Sequence, residues 1–336
     1  MKPAPAAGPF GCARTLSLPA GDPPTLTVVI DTEEEFDWSA PFDAASTATE
    51  NISHQVLAQD VFDRHGVVPT YVIDYPVASS DPARAVLRRF AEEGRCEIGA
   101  HLHPWVNPPA GAPVDSFHSY PGNLPPAFER EKLAVLTARI EEGFGKAPTI
   151  YKAGRYGIGP ATDGILAALG YRIDVSVVPH FDFSGQAGPD FTALPAGPFV
   201  TAAGVMALPL SVHFTGGLAR FGAHIYPPLS ARWGRRLRLP AIAARGGLLE
   251  RLRLSPEGHT LADMIRQTRA ALAAGERLFM LTYHSSSLLP GAAPYVRSAG
   301  DRERFLGALD GYIAFFLNEC GGRAMAVSAT AARLRS

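Results

Sequence analysis

The chain has 336 residues, 46% of them hydrophobic, which is enough to bury the core of one large α/β domain or of two modest ones. Its 31 basic and 32 acidic residues give a formal net charge of −1. This balance excludes the strong overall field that gathers nucleic acid or an anionic membrane surface, so neutral or mixed partners are expected.

The N-terminal residues and the cysteines favour a cytoplasmic protein. Residues 1–23 are rich in Pro, Gly and Ala and are expected to be an irregular lead-in, followed by a single domain over 24–336. The stretch PAPAAGPFG breaks the apolar core that a signal peptide needs, and no apolar run approaches the length of a membrane span. Cys12, Cys96 and Cys320 are spaced like neither a zinc knuckle nor a disulfide framework, which indicates a reducing compartment.

Apolar runs alternate with amphipathic segments along the whole chain, which is the pattern of a parallel sheet with crossover helices and, at this length, of a barrel. The loops at 106–127 and 179–204 are long and rich in Pro and Gly, which is typical of segments that cover a site. The basic run at 231–240 is interpreted as a solvated face without a role. Strands are predicted over 25–31, 67–74, 96–103, 149–153, 171–178, 205–214, 277–284 and 323–329, and helices over 53–65, 82–93, 128–144, 161–169, 255–276 and 302–318.

His101 and His103 end the third strand, in CEIGAHLHPW. Residues two apart in a strand face the same side, so both imidazoles point the same way. Pro104 then ends the strand pairing and leaves the two rings at the strand terminus. The pair is predicted to bind a metal ion, and the alternative is two histidines held by ordinary hydrogen bonds beside Trp105.

Other polar side chains also follow the ends of apolar strands. Asp31, Glu33 and Glu35 share one face of the acidic segment DTEEEFDW, whereas Glu34 does not. In a parallel barrel such ends converge on one pocket. Two histidines and a carboxylate form a ligand set for zinc or a similar divalent ion, and a remaining carboxylate and histidine would serve as general base and acid. The other candidates at strand ends are Arg155 and His284.

The ordered segments TVVIDTEEEFDW, EIGAHLHPW, AGRYGIGP, YRIDVSV and LTYHSSSL resemble the five motifs of the polysaccharide deacetylase family, whose catalytic domain is the NodB-homology domain. They are most similar to its WalW-like branch, which is linked to bacterial cell-surface glycan metabolism. The resemblance implies a distorted (β/α) barrel of about seven or eight units. It also implies metal-dependent hydrolysis of N- or O-acetyl groups on a carbohydrate, with zinc as the expected ion and cobalt, nickel or manganese as alternatives.

Carried over to this sequence, the family's roles fall on the residues already singled out. Asp31 would be the general base, Glu33 the acidic ligand beside His101 and His103, and His284 the acid that protonates the leaving group. The remaining roles concern orientation and the substrate: Arg155 would orient the base, Asp174, an acid inside an apolar strand, would pair with Arg155 or with the catalytic acid, and Tyr156 and Trp105 would contact the substrate.

Two departures from the family pattern leave alternatives open. The histidine motif has one intervening residue where many members have three, so His118 from the long loop is a further candidate ligand. The acidic motif leaves Glu33 and Glu35 as competing ligands, and spacing favours Glu33. The alternative functions are an allantoinase-like hydrolase of a non-sugar amide and a glycan-binding pseudoenzyme.

Overall fold

The computed structural model describes residues 11–335. Residues 1–10 of the expected lead-in lie outside this range. Within the range, the lead-in is only partly irregular, because Cys12–Thr15 forms a strand that pairs antiparallel with Phe199–Thr201.

Within residues 11–335, the main sheet is built from ten strands, and its centre is parallel. The strands of this range are β1 (Cys12–Thr15), β2 (Thr25–Thr32), β3 (Thr70–Ile73), β4 (Glu97–Leu102), β5 (Ile150–Ala153), β6 (Ile173–Asp174), β7 (Phe199–Thr201), β8 (Met206–Ala207), β9 (Val212–Thr215), β10 (Glu250–Arg253), β11 (Leu278–His284) and β12 (Arg323–Ala324). From one end of the main sheet the order is β1, β7, β8, β6, β5, β4, β3, β2 and β11, with β12 pairing beside β2. All eight residues of β2 are buried, which explains its continuous β-branched run.

Helices cross over between the parallel strands, as the alternating pattern predicts. The predicted glycine terminus of the helix ending at Phe144 is also present, since Gly145 has a left-handed φ of 72°. The helices are α1 (Gln55–Arg64), α2 (Tyr75–Ser79), α3 (Asp81–Glu92), α4 (Pro126–Phe144), α5 (Thr162–Ala168), α6 (Gly222–Ser230), α7 (Arg232–Arg236), α8 (Leu239–Arg245), α9 (Leu261–Ala273), α10 (Ala299–Asn318) and α11 (Val327–Arg333).

The sheet curls into a distorted, incompletely closed barrel, so the expected fold class is confirmed. Its two halves are linked by backbone hydrogen bonds outside the regular strands. Leu210 N donates to Val177 O (2.9 Å), Leu254 N to Ser211 O (2.9 Å) and Thr282 N to Leu254 O (3.2 Å). The β9–β10 hairpin therefore lies in the gap between β6 and β11. Short strands and irregular segments stand where longer strands over 171–178 and 205–214 were expected.

One predicted helix start is wrong. The helix expected from Ser255 begins at Leu261, where Thr260 and Asp263 form a capping box. Ser255, Pro256 and Glu257 before it form a buried bend, and this bend carries Glu257 into the barrel.

Candidate active site

The candidate residues meet because the strands that carry them are neighbours in the parallel sheet. Asp31 at the end of β2 lies in register with His284 at the end of β11. His101 on β4 lies in register with Lys152 on β5. Since parallel strands present their carboxyl ends at one edge, four separate segments deliver side chains to one place.

Glu33, His101 and His103 form a compact buried cluster. The Nε2 atoms of His101 and His103 lie 3.5 and 3.4 Å from Glu33 Oε2. All three side chains are no more than 3% exposed. Among the described residues, Glu33 Oε1 has no hydrogen-bond partner although it is fully buried. A buried carboxylate oxygen without a donor is costly, and a cation between the three groups would satisfy it.

Hydrogen bonds on the far side of each imidazole fix its orientation. His101 Nδ1 lies 2.9 Å from the carbonyl of Lys152, and His103 Nδ1 lies 2.8 Å from Glu34 Oε2. With Nδ1 carrying the proton, each Nε2 presents a lone pair to Glu33. Burial lowers the pKa of His101 well below its usual range and that of His103 to about 4, so both rings are neutral at neutral pH.

Glu34 supports this cluster, a role that the sequence analysis missed. Its Oε1 accepts from Trp105 Nε1 at 2.8 Å, and the Trp105 ring stacks on His103 with centroids 4.2 Å apart. One potential ligand atom from each of Glu34, Asp74 and His103 also lies within 4.8 Å of the other two. However, Asp74 already accepts from the backbone amides of Glu34 (2.6 Å) and Val77 (2.8 Å), so this second group holds the histidine in place.

Asp31 is paired with Lys152, a residue that the sequence analysis did not consider. Lys152 Nζ donates to Asp31 Oδ1 at 2.5 Å, and both side chains are buried. Burial alone would raise the pKa of Asp31, but Lys152, with smaller contributions from His284 and His101, outweighs it and lowers the pKa to about 2. The carboxylate is therefore ionised. A lysine inside the apolar run TIYKA was the available signal, because a buried lysine needs a partner.

His284 is oriented by Glu257, the second residue that was missed. His284 Nδ1 lies 2.9 Å from Glu257 Oε2, and its backbone amide donates to Glu257 Oε1 at 2.9 Å. The other ring nitrogen, Nε2, lies 3.5 Å from Asp31 Oδ2. Burial opposes ionisation of Glu257, but His284, together with Arg253 and Ser287, lowers its pKa overall. The sequence offered Glu257 only as part of a helix start.

The expected pairing of Arg155 with Asp174 is wrong. Arg155 donates to Ser119 Oγ at 2.5 Å, and its guanidinium lies 4.0 Å from the centroid of the Tyr120 ring. Asp174 accepts from the hydroxyl and the backbone amide of Ser176 at 2.6 and 3.2 Å. Burial raises the pKa of Asp174 to about 7. Arg155 therefore lies in the pocket wall, and Asp174 belongs to the sheet.

The turn after β5 brings the backbone against the ligand cluster. Arg155 and Tyr156 both have left-handed φ angles, 54° and 59°, which are unfavourable for residues with side chains and are typical of functional turns. A Cβ on Gly154 would lie 2.5 Å from His103 Cδ2, so only glycine leaves room for that ring. The Gly157 amide donates to the carbonyl of Gly154 and is therefore not available to an oxyanion.

Glu35 and His118, the two alternative candidate ligands, lie outside the cluster of Glu33, His101 and His103. Glu35 Oε1 accepts from the backbone amide and side chain of Asn51 at 2.7 and 3.3 Å. His118 Nδ1 lies 2.9 Å from Asp115 Oδ1, and both residues line a separate cavity. The structure thus groups Glu33, and neither Glu35 nor His118, with His101 and His103.

The cluster opens into a cavity of about 320 Å³. Asp31, Glu33 and His284 lie in its wall with the two histidines. The other walls are largely aromatic, and Trp38 packs edge-on against His284 with ring centroids 4.9 Å apart. Tyr156 also lines this cavity, and its hydroxyl accepts a hydrogen bond of 2.8 Å from Arg253 Nη1. Further aromatic lining residues are Phe36, Phe42, Trp105, Tyr120, Phe183 and Tyr295.

Solved structures with this architecture include a candidate polysaccharide deacetylase and an allantoinase. A candidate polysaccharide deacetylase from Mycobacterium smegmatis is 19% identical, with a TM-score of 0.55 over 96% of this chain and 94% of that one. The chain has the polysaccharide deacetylase fold. Puue allantoinase shares this fold at 14% identity and a TM-score of 0.54, over 94% and 91% of the two chains. No protein-family model and no curated protein sequence matches the chain.

The donor set fits a divalent transition metal ion. Two neutral imidazole nitrogens and one carboxylate oxygen, all within 4.8 Å of one another, form the three-ligand set that catalytic zinc sites use. Such a set leaves coordination positions for water or substrate. The unsatisfied Glu33 Oε1 points to the same conclusion from the protein side.

Proposed function

We propose that this protein is a metal-dependent hydrolase that removes N- or O-acetyl groups from a carbohydrate. The observation that carries the proposal is the meeting of three groups at one cavity: the Glu33, His101 and His103 cluster, Asp31 with Lys152 behind it, and His284 with Glu257 behind it. Zinc is the preferred ion, and cobalt, nickel or manganese are alternatives. When bound, the ion would polarise the acyl carbonyl and lower the pKa of water.

Asp31 is suited to accept the proton of the attacking water. Lys152 holds one carboxylate oxygen, and the other lies 3.5 Å from His284 Nε2. The pair with Lys152 keeps the carboxylate ionised and fixes its direction, so no reorientation is needed during the reaction.

His284 is suited to deliver a proton to the leaving nitrogen or oxygen. Glu257 fixes the ring through Nδ1 and turns Nε2 towards Asp31 and the cavity. A base and an acid on one side of a single cavity match what acyl transfer from an amide or ester requires.

The cavity favours a sugar ring as substrate. Its volume of about 320 Å³ admits a small ring, and its aromatic walls offer faces on which the apolar side of a sugar can pack. Trp105 also holds His103, so a substitution there would disturb the ligands together with the substrate contact. These features support a carbohydrate substrate, and the motif resemblance alone is the basis for proposing the WalW-like branch of the polysaccharide deacetylases.

Acetate release tests the proposal directly. We expect the purified protein to release acetate from acetylated glycans after zinc is added back to chelated enzyme, and His101→Ala to lose this activity. Arg130→Ala, on the exposed face of α4, is the matched control and should keep it. Metal binding without hydrolysis of any acetylated glycan would instead favour a glycan-binding pseudoenzyme.

One feature favours a second candidate, an allantoinase-like hydrolase of a small amide. Arg155 and Arg253 both line the cavity, and two guanidinium groups suit a small acidic or ureide substrate. Ammonia or a ureide product without acetate would support this activity over deacetylation.

We place the protein in the cytoplasm, because Cys12, Cys96 and Cys320 are all free thiols. Within residues 11–335, none of the helices has both the length and the apolar character needed to cross a bilayer.

A further inference from the structure

Three short helices form a small cap on the barrel between β9 and β10. This cap, residues 216–249, contains α6, α7 and α8, which pack against one another, while α6 and α8 also contact β10. Its longest helix, α6, has nine residues. The basic run at 231–240 lies inside this cap and was expected to be a solvated face without a role.

The charge of the cap differs sharply from that of the rest of the chain. No Asp or Glu occurs between Asp190 and Glu250. Since the whole chain has a net charge of −1, six arginines in the cap leave a formal charge of −7 elsewhere. All six side chains are exposed: Arg220, Arg232, Arg235, Arg236, Arg238 and Arg245. The balanced total therefore conceals a strongly basic surface.

The same cap exposes most of the large apolar side chains that the described structure leaves in water. Its four most exposed members, Trp233, Leu237, Ile242 and Leu248, are 52–61% exposed. No large apolar side chain outside the cap exceeds 43% among the described residues. Leu218 and Phe221 in the cap are also exposed, at 38% and 44%. Apolar side chains clustered in this way mark an interaction surface.

We propose that the cap docks on the surface of an anionic lipid bilayer. Exposed arginines combined with Trp, Leu, Ile and Phe are the composition of segments that lie in the lipid interface, where charge binds headgroups and apolar side chains enter the acyl boundary. Helices this short cannot span the bilayer, so the association is peripheral. This inference does not depend on the proposed catalytic activity.

A second copy of the chain fits this surface poorly. A twofold interface would place the cap of one copy against the same cap of the other, and six arginines would then face six arginines with no acidic residue in either cap. Nucleic acid would neutralise the arginines but would leave the apolar side chains in water. An anionic bilayer neutralises the arginines and also removes the apolar side chains from water.

The cap also adjoins the catalytic cavity. A second cavity of about 540 Å³ is lined by Tyr226 and Arg235 from the cap and by Phe183 and Gln186, which also line the catalytic cavity. Docking through the cap would therefore hold the opening of the catalytic cavity near the lipid headgroups.

Vesicle co-sedimentation tests the docking proposal. The full chain should bind vesicles of equal phosphatidylglycerol and phosphatidylcholine and should not bind phosphatidylcholine alone. Each arginine near such a surface strengthens binding about fivefold, so Arg236→Ala with Arg245→Ala should weaken it about 25-fold. Raising the salt from about 0.1 to 1 M should release the protein, because the screening length falls from about 10 to 3 Å.

Matched variants separate docking from general changes in charge or folding. Arg89→Ala with Arg130→Ala removes the same charge from exposed positions outside the cap and should leave binding unchanged. Trp233→Ser with Leu237→Ser should abolish binding while the melting temperature stays the same. Equal binding by the cap and control variants would overturn the proposal, as would failure to bind anionic vesicles. Dimerisation that the Trp233 and Leu237 changes abolish, without vesicle binding, would overturn it in favour of a second copy.

Discussion

Replacing Lys152 with methionine tests the electrostatic arrangement around Asp31. The change keeps most of the side-chain volume and removes the charge from a side chain that is fully buried. Without its cation, Asp31 is a buried carboxyl group that must either stay ionised and unpaired or take up a proton, and both states are costly. Breaking one partner of a buried ion pair costs about 3–5 kcal/mol, so we expect Lys152→Met to lower the free energy of unfolding by that amount.

A double-mutant cycle measures the pair itself. Asp31→Asn removes the other charge, and the Lys152→Met, Asp31→Asn double variant should be less destabilised than the sum of the single variants, with a coupling of about 2–3 kcal/mol. The assay is urea unfolding of chelator-treated protein, which keeps metal binding out of the measurement. Arg155→Met with Asp31→Asn is the control cycle, because Arg155 lies on Tyr120 and contacts Ser119.

The two cycles distinguish the pairing seen in the structure from the one that the sequence suggested. We expect coupling between Arg155 and Asp31 to stay below about 0.5 kcal/mol, as for residues that share no contact. A larger coupling for Arg155 than for Lys152 would refute the assignment of Lys152 as the partner of Asp31.

Three further predictions concern the proton donor, the ligand cluster and the sheet. His284→Ala should lower turnover about 10²–10⁴-fold with metal content unchanged in metal analysis, and loss of metal would contradict its role. Gly154→Ala should weaken zinc binding about 10–100-fold in a competition titration, because its Cβ meets His103, whereas Gly164→Ala, with open space around it, should not. The pKa of Asp174 is raised from 3.8 to about 7, so the wild type should lose stability relative to Asp174→Asn as the pH rises through this range. In urea unfolding the loss should reach up to about 1.4 kcal/mol per pH unit. Parallel pH profiles of the two proteins would contradict this prediction.

The residues at strand ends were predictable because their signals are local. An uninterrupted apolar run marks a buried strand, and a two-residue spacing places His101 and His103 on one face. The two-residue spacing likewise places Glu33 on the same face as Asp31, just after the end of β2. These patterns need no knowledge of which strands are neighbours, and they gave the fold class and the cluster of possible ligands.

The partners of those residues depend on long-range geometry that local patterns do not contain. Lys152 reaches Asp31 only because the sheet curls and brings β5 across from β2. A helix was predicted from Ser255, but the helix begins at Leu261, and Glu257 instead contacts His284, which is distant in sequence. The basic cap was missed for a related reason, since net charge averages over surfaces that the fold separates.

Isothermal titration of chelated protein with zinc tests the central claim most directly, because it asks whether Glu33, His101 and His103 bind one ion. We predict one high-affinity zinc per chain in the wild type. Glu33→Gln should weaken binding strongly, because it removes a charged ligand, whereas Glu35→Gln, at a carboxylate held by Asn51, should bind zinc as the wild type does. Wild-type protein without a zinc site, or equal affinity for wild type and Glu33→Gln, would contradict the account.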